Sequence, residues 1–181
     1  MPNLLELDLS LNMFKQIEHV GIWKQCHLKQ LSVSSNNLDV QMLDSPTNVS
    51  ECSQYALERL DLSWNMGMLP NGTIPELGRL ENLRGLDLSV NELTGPIPES
   101  LRRLRFLEVL DLSGNRLSGP IPPFFGNLTK LDLSFNQLNG SIPESFGKLA
   151  ALTYLYLEFN QLTGPIPASL GRLVSLQEIS S

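Results

Sequence analysis

The segment LDLSVN at residues 86–91 decides the fold, because variants of it recur six more times along the chain. They read LDLSLN at 7–12, LSVSSN at 31–36, LDLSWN at 60–65, LDLSGN at 110–115, LDLSFN at 131–136 and LYLEFN at 155–160. Successive terminal asparagines are 21 to 29 residues apart. Repeats of this period stack into a solenoid in which each repeat contacts only its neighbours. Function then depends on which face of the coil stays exposed.

Strand alternation assigns the residues of each copy to two faces. Leu86 and Leu88 point one way and Asp87 and Ser89 the other, so the leucines face the interior. The pattern predicts one short parallel strand per repeat, near residues 4–10, 28–34, 57–63, 83–89, 107–113, 128–134 and 152–158. The terminal asparagines are predicted to pair with backbone groups where the chain leaves the sheet. This asparagine ladder comprises Asn12, Asn36, Asn65, Asn91, Asn115, Asn136 and Asn160.

The second half of each repeat contains glycine and proline, as in LTGPIP at 93–98 and 162–167. Proline fixes φ and removes a donor, which predicts an extended or turn-like side instead of long α-helices. PESLRRL at 98–104 and PASLGRL at 167–173 fit short helical turns that only packing could hold. The isoleucines of this side are expected to point inward: Ile97, Ile121, Ile142 and Ile166.

These repeats resemble the leucine-rich repeat family over essentially the whole chain, and LTGPIP resembles its plant extracellular subclass. The resemblance implies an α/β leucine-rich repeat solenoid, a curved right-handed superhelix. Short parallel strands would line its concave face, with turns and short 3-10 or helical segments on the convex side. Residues 1–181 would form a single domain of about seven repeats. Irregular insertions interrupt it at 40–55 and 66–75, and an incomplete eighth repeat occupies 174–181.

Composition limits the classes of partner. The formal net charge of −6 argues against nucleic acid and anionic membranes, and Arg102, Arg103 and Arg105 form one local basic run, interpreted as a solvated edge. No stretch approaches the ~18 apolar residues of a membrane span.

Neither a secretory signal nor a capping segment precedes the first repeat, so we expect a fragment of a larger receptor. The alternative is a complete small protein whose end coils cap themselves.

Catalytic chemistry is not indicated. His19 and His27 lack companions at metal-ligand spacing, and the chain has no nucleophile elbow, P-loop or dinucleotide fingerprint. We therefore predict no enzyme activity, no cofactor and no metal.

The two cysteines occupy nearly the same phase of adjacent coils. Cys26 lies two residues before Leu28, and Cys52 lies five before Leu57. Stacked coils suit the ~4.4–6.8 Å Cα separation of a disulfide. A Cys26–Cys52 bridge is our hypothesis, and two separate buried thiols are the alternative.

Four N-x-S/T sequons favour a secretory-pathway origin and predict glycosylation. Their asparagines are Asn48, Asn71, Asn127 and Asn139. The two in the irregular insertions, Asn48 and Asn71, are expected to be the most accessible.

GIWKQCHLKQL at 21–31, SECS at 51–54 and LERLDLSWN at 57–65 resemble plant receptor-like proteins, in particular the group that includes receptors for fungal xylanase elicitors. The resemblance implies a recognition ectodomain at the cell surface that binds a protein or peptide ligand and recruits a co-receptor kinase in defence or development.

The concave face is the expected binding site. Repeat seven replaces the usual Asp and Ser by Tyr156 and Glu158 and adds Tyr154, so these three residues should alternate on the exposed face. Tyrosine and tryptophan dominate binding hot spots. Phe135 and Phe159 are expected either to stay exposed or to tuck under the neighbouring coil. Other candidates are Trp64, Asp87, Asp111 and Asp132. The aspartates also suit a purely structural role in LDLS.

Two other functions stay open. The chain could be a secreted inhibitor of a cell-wall-degrading hydrolase, similar in architecture to polygalacturonase-inhibiting proteins. It could also be a structural or ice-surface-binding scaffold that uses its regular faces.

Overall fold

The computed structural model describes residues 3–15, 26–38, 52, 54–65, 72–74, 76–123 and 126–181. Within those residues, eight short strands form one parallel sheet, here called the inner sheet. With strands numbered along the chain, they are β1 (Glu6–Asp8), β2 (Gln30–Ser32), β3 (Arg59–Asp61), β4 (Gly85–Asp87), β6 (Val109–Asp111), β8 (Lys130–Asp132), β10 (Tyr154–Tyr156) and β12 (Glu178–Ser180). They pair in that order, so the predicted solenoid is confirmed.

The strands are shorter than the seven-residue windows drawn from the sequence. Each of the first seven inner strands lies at the centre of its window and spans three residues. The stretch 174–181 contributes β12, which pairs in register with β10 and adds an eighth strand to the sheet. The residues after each strand still bond to the next coil, as when the Leu88 N–H donates to the carbonyl of Asp111 at 2.9 Å.

A second parallel sheet, here called the outer sheet, was not predicted. It contains β5 (Thr94–Gly95), β7 (Arg116–Pro120), β9 (Gln137–Gly140) and β11 (Gln161–Leu162). The glycine-rich segments are extended, as the prolines indicated, and stacking places equivalent segments side by side. Their backbone groups therefore pair between coils, and each coil has strands on two sides.

The helical segments in the described residues are short 3-10 helices. They span Glu99–Arg103, Glu144–Lys148 and Ala168–Arg172, each preceded by a proline. The helices Glu144–Lys148 and Ala168–Arg172 pack so closely that a Cβ added at Gly147 would lie 2.5 Å from the Cβ of Ser169.

The core is a column of leucines. Leu86, Leu110, Leu131 and Leu155 are at most 1% exposed. From the second copy onward, the alternate apolar residues form a second buried row of Val33, Leu62, Leu88, Leu112, Leu133 and Leu157. Ile97, Ile121 and Ile142 are buried as predicted, but Ile166 is 66% exposed, so that prediction is wrong. Ile166 follows Asn160, the last ladder asparagine, and in the described residues no further coil packs over it.

The asparagine ladder joins neighbouring coils. The Asn65 Nδ2 donates to the carbonyls of Leu62, Ser63 and Val33, at 3.0, 3.0 and 3.1 Å. Its Oδ1 accepts the N–H of Leu38 at 3.2 Å. This side chain is 7% exposed. The Asn65 amide therefore satisfies backbone groups that would otherwise be buried without partners.

Cys26 and Cys52 form a disulfide in the structure, with their Cα atoms 5.4 Å apart. Cys26 lies just before the second repeat and Cys52 just before the third, so the bridge links two adjacent coils. Most of the insertions at 40–55 and 66–75, including Asn48 and Asn71, lies outside the described residues.

Candidate ligand-recognition face

One row of side chains crosses the inner sheet at the central aspartate position of the motif. Asp61, Asp87, Asp111 and Asp132 are register partners on β3, β4, β6 and β8, and we call them the aspartate row. Each accepts the backbone N–H of the serine two residues later, at 2.9 to 3.1 Å. The aspartates thus shape the turn that leaves the strand, which supports a structural role for Asp87, Asp111 and Asp132.

Burial and repulsion between neighbouring carboxylates raise the pKa values of two residues in the aspartate row. Burial raises the pKa of Asp87 above its usual value, and the neighbouring carboxylates of Asp111 and Asp61 add to the increase. Burial and Asp111 likewise raise the pKa of Asp132. Hydrogen bonds from Ser89 and Ser134 act in the opposite direction, but they are too weak to cancel the increase in either pKa. The negative charges of Asp87 and Asp132 are therefore unfavourable at neutral pH.

Lys130 relieves that repulsion at one end of the row. Its Nζ lies 2.9 Å from Asp111 Oδ2 and 3.8 Å from Asp132 Oδ2. Burial lowers the Lys130 pKa, but the hydrogen bond to Asp111 and the charges of the aspartates outweigh it, so the net pKa is raised. The same ammonium lies 6.0 Å from the centre of the Tyr156 ring. Lys130 therefore connects the aspartate row to the aromatic part of the face.

Tyr154 and Tyr156 lie together on this face, as alternation predicts. Their rings are nearly parallel, with centroids 6.4 Å apart. The hydroxyl of Tyr156 donates to Glu178 Oε2 at 3.0 Å, and that of Tyr154 donates to Gln177 Oε1 at 3.3 Å. Burial, together with Glu178, raises the pKa of Tyr156. Hydrogen bonds to the next coil thus hold both rings in place.

Glu158 differs from the expected exposed carboxylate. The residue is half-buried, and its Oε2 is buried without a hydrogen-bond partner in the described part of the chain. Its backbone carbonyl accepts the N–H of Phe135 at 3.0 Å. The side chain borders the recognition face but presents less of its carboxylate to solvent than predicted.

Phe135 and Phe159 form a stacked pair at the edge of the inner sheet. Their ring centroids are 4.3 Å apart and their planes differ by 15°. They are 54% and 70% exposed, so neither tucks under a neighbouring coil. Trp64 is 53% exposed at the same motif position, but Val90 and Gly114 lie in the two coils between it and Phe135. The structure therefore does not unite the three aromatic residues.

A further property of this edge was missed in the sequence. The residue before each ladder asparagine has a positive φ, between 50° and 64°. We call these positions the left-handed row: Leu11, Ser35, Trp64, Val90, Gly114, Phe135 and Phe159. Such φ values are rare for bulky and β-branched residues. The conformation turns these side chains outward, which explains the exposure of Trp64 and both phenylalanines.

Two predicted glycosylation asparagines lie in the described residues. Asn127 and Asn139 are both exposed. Asn139 belongs to β9 on the outer sheet, away from Tyr154 and Tyr156, which lie on the inner sheet.

Neither converging metal ligands nor a helix able to span a membrane is found among the described residues. In the described ranges, no three His, Cys, Asp or Glu side chains converge as metal ligands. The same part of the chain contains no helix long and apolar enough to cross a bilayer.

Comparison with known families agrees with this geometry. One model, described as "Leucine rich repeat", matches residues 124–180, and a second, "Leucine Rich Repeat", matches residues 82–104 and 106–128. Together they cover more than half of the chain. The chain belongs to the leucine-rich repeat family. Both descriptions are of repeats, and neither indicates a catalytic domain.

Solved structures place this leucine-rich repeat chain among plant receptor ectodomains. It matches the Arabidopsis receptor kinase HAESA, solved with the peptide hormone IDA and the co-receptor SERK1, at 35% identity and a TM-score of 0.83. The match covers 99% of this chain and 30% of that one. The plant peptide hormone receptor RGFR1, in complex with RGF2, matches at 27% identity and a TM-score of 0.75, over 98% and 32% of the two chains.

A plant ice-binding protein is also similar to these leucine-rich repeats. Identity is 41% and the TM-score 0.57, over 65% of this chain and 39% of that one. The chain thus spans about a third of the length of each of these three relatives.

The leucine-rich repeat sequence also contained residues of the face that were overlooked. Lys130, Gln177 and Glu178 were not selected as candidates, although each lies in or beside an inner strand. Strand register supplied the necessary signal, because Lys130 and Glu178 are the register partners of Tyr154 on either side. Applying alternation to every repeat, and not only to the aberrant seventh, would have identified Lys130 and Glu178.

Proposed function

We propose that this chain is part of the ligand-recognition ectodomain of a plant receptor-like protein at the plasma membrane. It would bind a protein or peptide ligand on the inner sheet and act with a co-receptor kinase in defence or developmental signalling. The solved relatives support this proposal, since HAESA is described with a peptide hormone and a co-receptor, and RGFR1 with RGF2.

Tyr154 and Tyr156, two hydrogen-bonded tyrosines on the inner sheet, support this proposal most directly. Register places Tyr154 beside Lys130 and Tyr156 beside Asp132 of the preceding coil. Their hydroxyls are already hydrogen-bonded to Gln177 and Glu178. A ligand would therefore meet aromatic surface that needs little ordering, which lowers the entropic cost of binding. Tyrosines that a partner buries commonly dominate the energy of such contacts.

Charge adds selectivity beside these rings. Lys130 lies between Asp111 and Asp132, and its ammonium also faces the Tyr156 ring. A ligand residue packed on Tyr156 would contact a surface with both signs of charge within a few ångströms. That arrangement favours a polypeptide with mixed polar and apolar side chains over a purely apolar ligand.

The test is selection of binding peptides from a random displayed library on the immobilised chain, followed by calorimetry. The Tyr154→Ala/Tyr156→Ala variant should weaken binding at least about tenfold, because each aromatic hot spot contributes on the order of 2 kcal/mol. The matched control is Gln137→Ala/Gln161→Ala, which alters two exposed residues of the outer sheet and should retain affinity. Unchanged affinity in the tyrosine variant would locate the site elsewhere.

Ice binding is a second candidate because of the 41% identity to a plant ice-binding protein. Thermal hysteresis of the purified chain measures this activity directly. Inhibition of a polygalacturonase or xylanase by the same preparation would instead favour the hydrolase-inhibitor function.

A further inference from the structure

A cleft of about 730 Å³ lies outside the proposed ligand face. Its walls include Ser100, Arg102, Arg103, Arg105 and Phe106, from the 3-10 helix Glu99–Arg103 and the turn that follows it. None of these residues belongs to an inner strand. The basic run that sequence reasoning treated as a solvated edge thus lines a concave site.

The cleft contains two cationic groups that have no ion-pair partner among the described residues. Arg102 pairs with Glu99, at 2.6 Å between Nη1 and Oε1. Among the described residues, Arg103 and Arg105 have no carboxylate within ion-pair distance, and both are exposed. Glu81 supplies the remaining carboxylate of the lining. The site therefore remains net positive, on a chain with a formal net charge of −6.

The Ser100 hydroxyl, in the lining of the cleft, differs from its equivalents in the other 3-10 helices. Serines at the same position of the other two 3-10 helices bond to the preceding coil, with Ser145 Oγ donating to Pro123 O and Ser169 Oγ to Glu144 O, both at 2.9 Å. The Oγ of Ser100 is buried and has no such partner in the described part of the structure. A buried hydroxyl without a partner costs free energy, and a ligand atom could supply the missing bond.

Phe106 completes the wall with apolar surface. Its ring is 53% exposed, and the Arg84 guanidinium lies 5.9 Å from its centroid. Arg84 itself is ion-paired with Glu108. The ring can therefore accept an apolar ligand group while Arg103 and Arg105 remain available for anions.

We propose that this cleft binds an acidic segment of a protein partner. Guanidinium groups bind carboxylates through two parallel hydrogen bonds, which fits Arg103 and Arg105 to Asp or Glu side chains. Ser100 adds a polar contact and Phe106 an apolar one. This surface is separate from Tyr154 and Tyr156, so it does not depend on the proposed function.

The test uses fluorescence anisotropy with a fluorescein-labelled hexaglutamate peptide. The Arg103→Ala/Arg105→Ala variant should weaken binding by about tenfold or more, because it removes both unpaired guanidinium groups. Arg172→Ala is the matched control, since Arg172 ends the helix Ala168–Arg172 as Arg103 ends Glu99–Arg103. It should bind the peptide as the wild type does.

Two further variants test the cleft if the double alanine variant folds poorly. Ser100→Ala should weaken peptide binding severalfold. It should not lower Tm, because the Ser100 hydroxyl has no hydrogen-bond partner in the described part of the chain. Arg103→Lys/Arg105→Lys should also weaken binding, since lysine cannot form the paired hydrogen bonds. Equal loss in Arg172→Ala, no binding by the wild type, or tighter binding of an oligogalacturonate than of hexaglutamate would overturn the proposal.

Discussion

The backbone N–H of Leu93 donates to Oδ1 of Asn115, one coil further along the chain, at 3.0 Å. The same side chain donates from Nδ2 to the carbonyls of Leu88 and Leu112, both at 3.0 Å. One amide therefore serves both its own coil and the one before it. Asn115 is 8% exposed, so water cannot replace these bonds.

Replacing Asn115 by alanine should lower the free energy of unfolding by about 2–4 kcal/mol, because several buried backbone groups lose their partner. Urea unfolding followed by circular dichroism measures this change. Asn12→Ala is the matched control, since Asn12 holds the same motif position but is exposed and, among the described residues, donates only to Leu9 and Ser10. A similar decrease in the free energy of unfolding for both variants would mean that burial does not determine how much a ladder asparagine stabilises the fold.

Val90 is a β-branched residue held at φ 50°. Its replacement by asparagine, which tolerates this region, should stabilise the chain by about 0.5–1 kcal/mol through relief of strain. Gly114→Ala should do the reverse, because Gly114 has φ 64° and a new Cβ would lie 3.3 Å from Val90 Cγ2. Thermal melts of the two variants should shift in opposite directions, and parallel shifts would contradict the strain argument.

Asp87→Asn should raise stability at neutral pH by less than about 1 kcal/mol, since the carboxylate is only partly buried. The folded pKa of Asp87 is raised, so the stability that the protonated form provides is present below the unfolded value of 3.8 and lost as pH rises through the folded pKa. Asparagine can still accept the Ser89 N–H.

Melting curves between pH 3 and pH 8 test the prediction for Asp87. The Tm difference between Asp87→Asn and the wild type should grow with pH. Asp111→Asn is the control, because Asp111 is ion-paired with Lys130 and its neutralisation should give no gain. A constant difference across the range would show that charge is not the cause.

The Cys26–Cys52 bridge spans a sequence separation of 26 residues. Replacing both cysteines by serine should cost about 2–4 kcal/mol by increasing the freedom of the unfolded chain. Thiol titration of the denatured wild type should find no free thiol, whereas the alternative of two thiols would give two. Reduction should lower the Tm of the wild type and leave the double variant unchanged.

Expression through a secretory pathway should yield chains glycosylated at Asn127 and Asn139, which are exposed. Asn127→Gln and Asn139→Gln should each lower the apparent mass on a gel by one glycan. Enzymatic deglycosylation should remove the rest of the added mass. Gln137→Ala is the neighbouring control, because Gln137 is exposed on β9 beside Asn139 but lies outside the sequon. No mobility difference in the wild type after deglycosylation would refute both sites.

The solenoid could be predicted from the sequence because leucine alternation and asparagine spacing are local and repetitive. It placed Tyr154 and Tyr156 on one face for the same reason. The outer sheet was missed because β5 and β11 have two residues each and exist only through pairing with other coils. No period within a single repeat reveals such pairing.

The burial of side chains was harder to predict than their direction. Alternation correctly directs Glu158 away from the leucine core, yet neighbouring residues bury one of its carboxylate oxygens. The positive φ of Phe135 and Phe159 follows from a turn repeated in every coil, and phenylalanine gives no sign of it. Both properties arise from contacts between coils, which a single repeat does not encode.

The left-handed row has a consequence for protein engineering. Its backbone conformation persists with leucine, serine, tryptophan, valine, glycine and phenylalanine at the seven positions, because hydrogen bonds from adjacent coils hold it. The six positions other than Gly114 could be randomised together to build a combinatorial library on one scaffold. A stripe of adjustable chemistry would then run along one edge, with the leucine core left untouched.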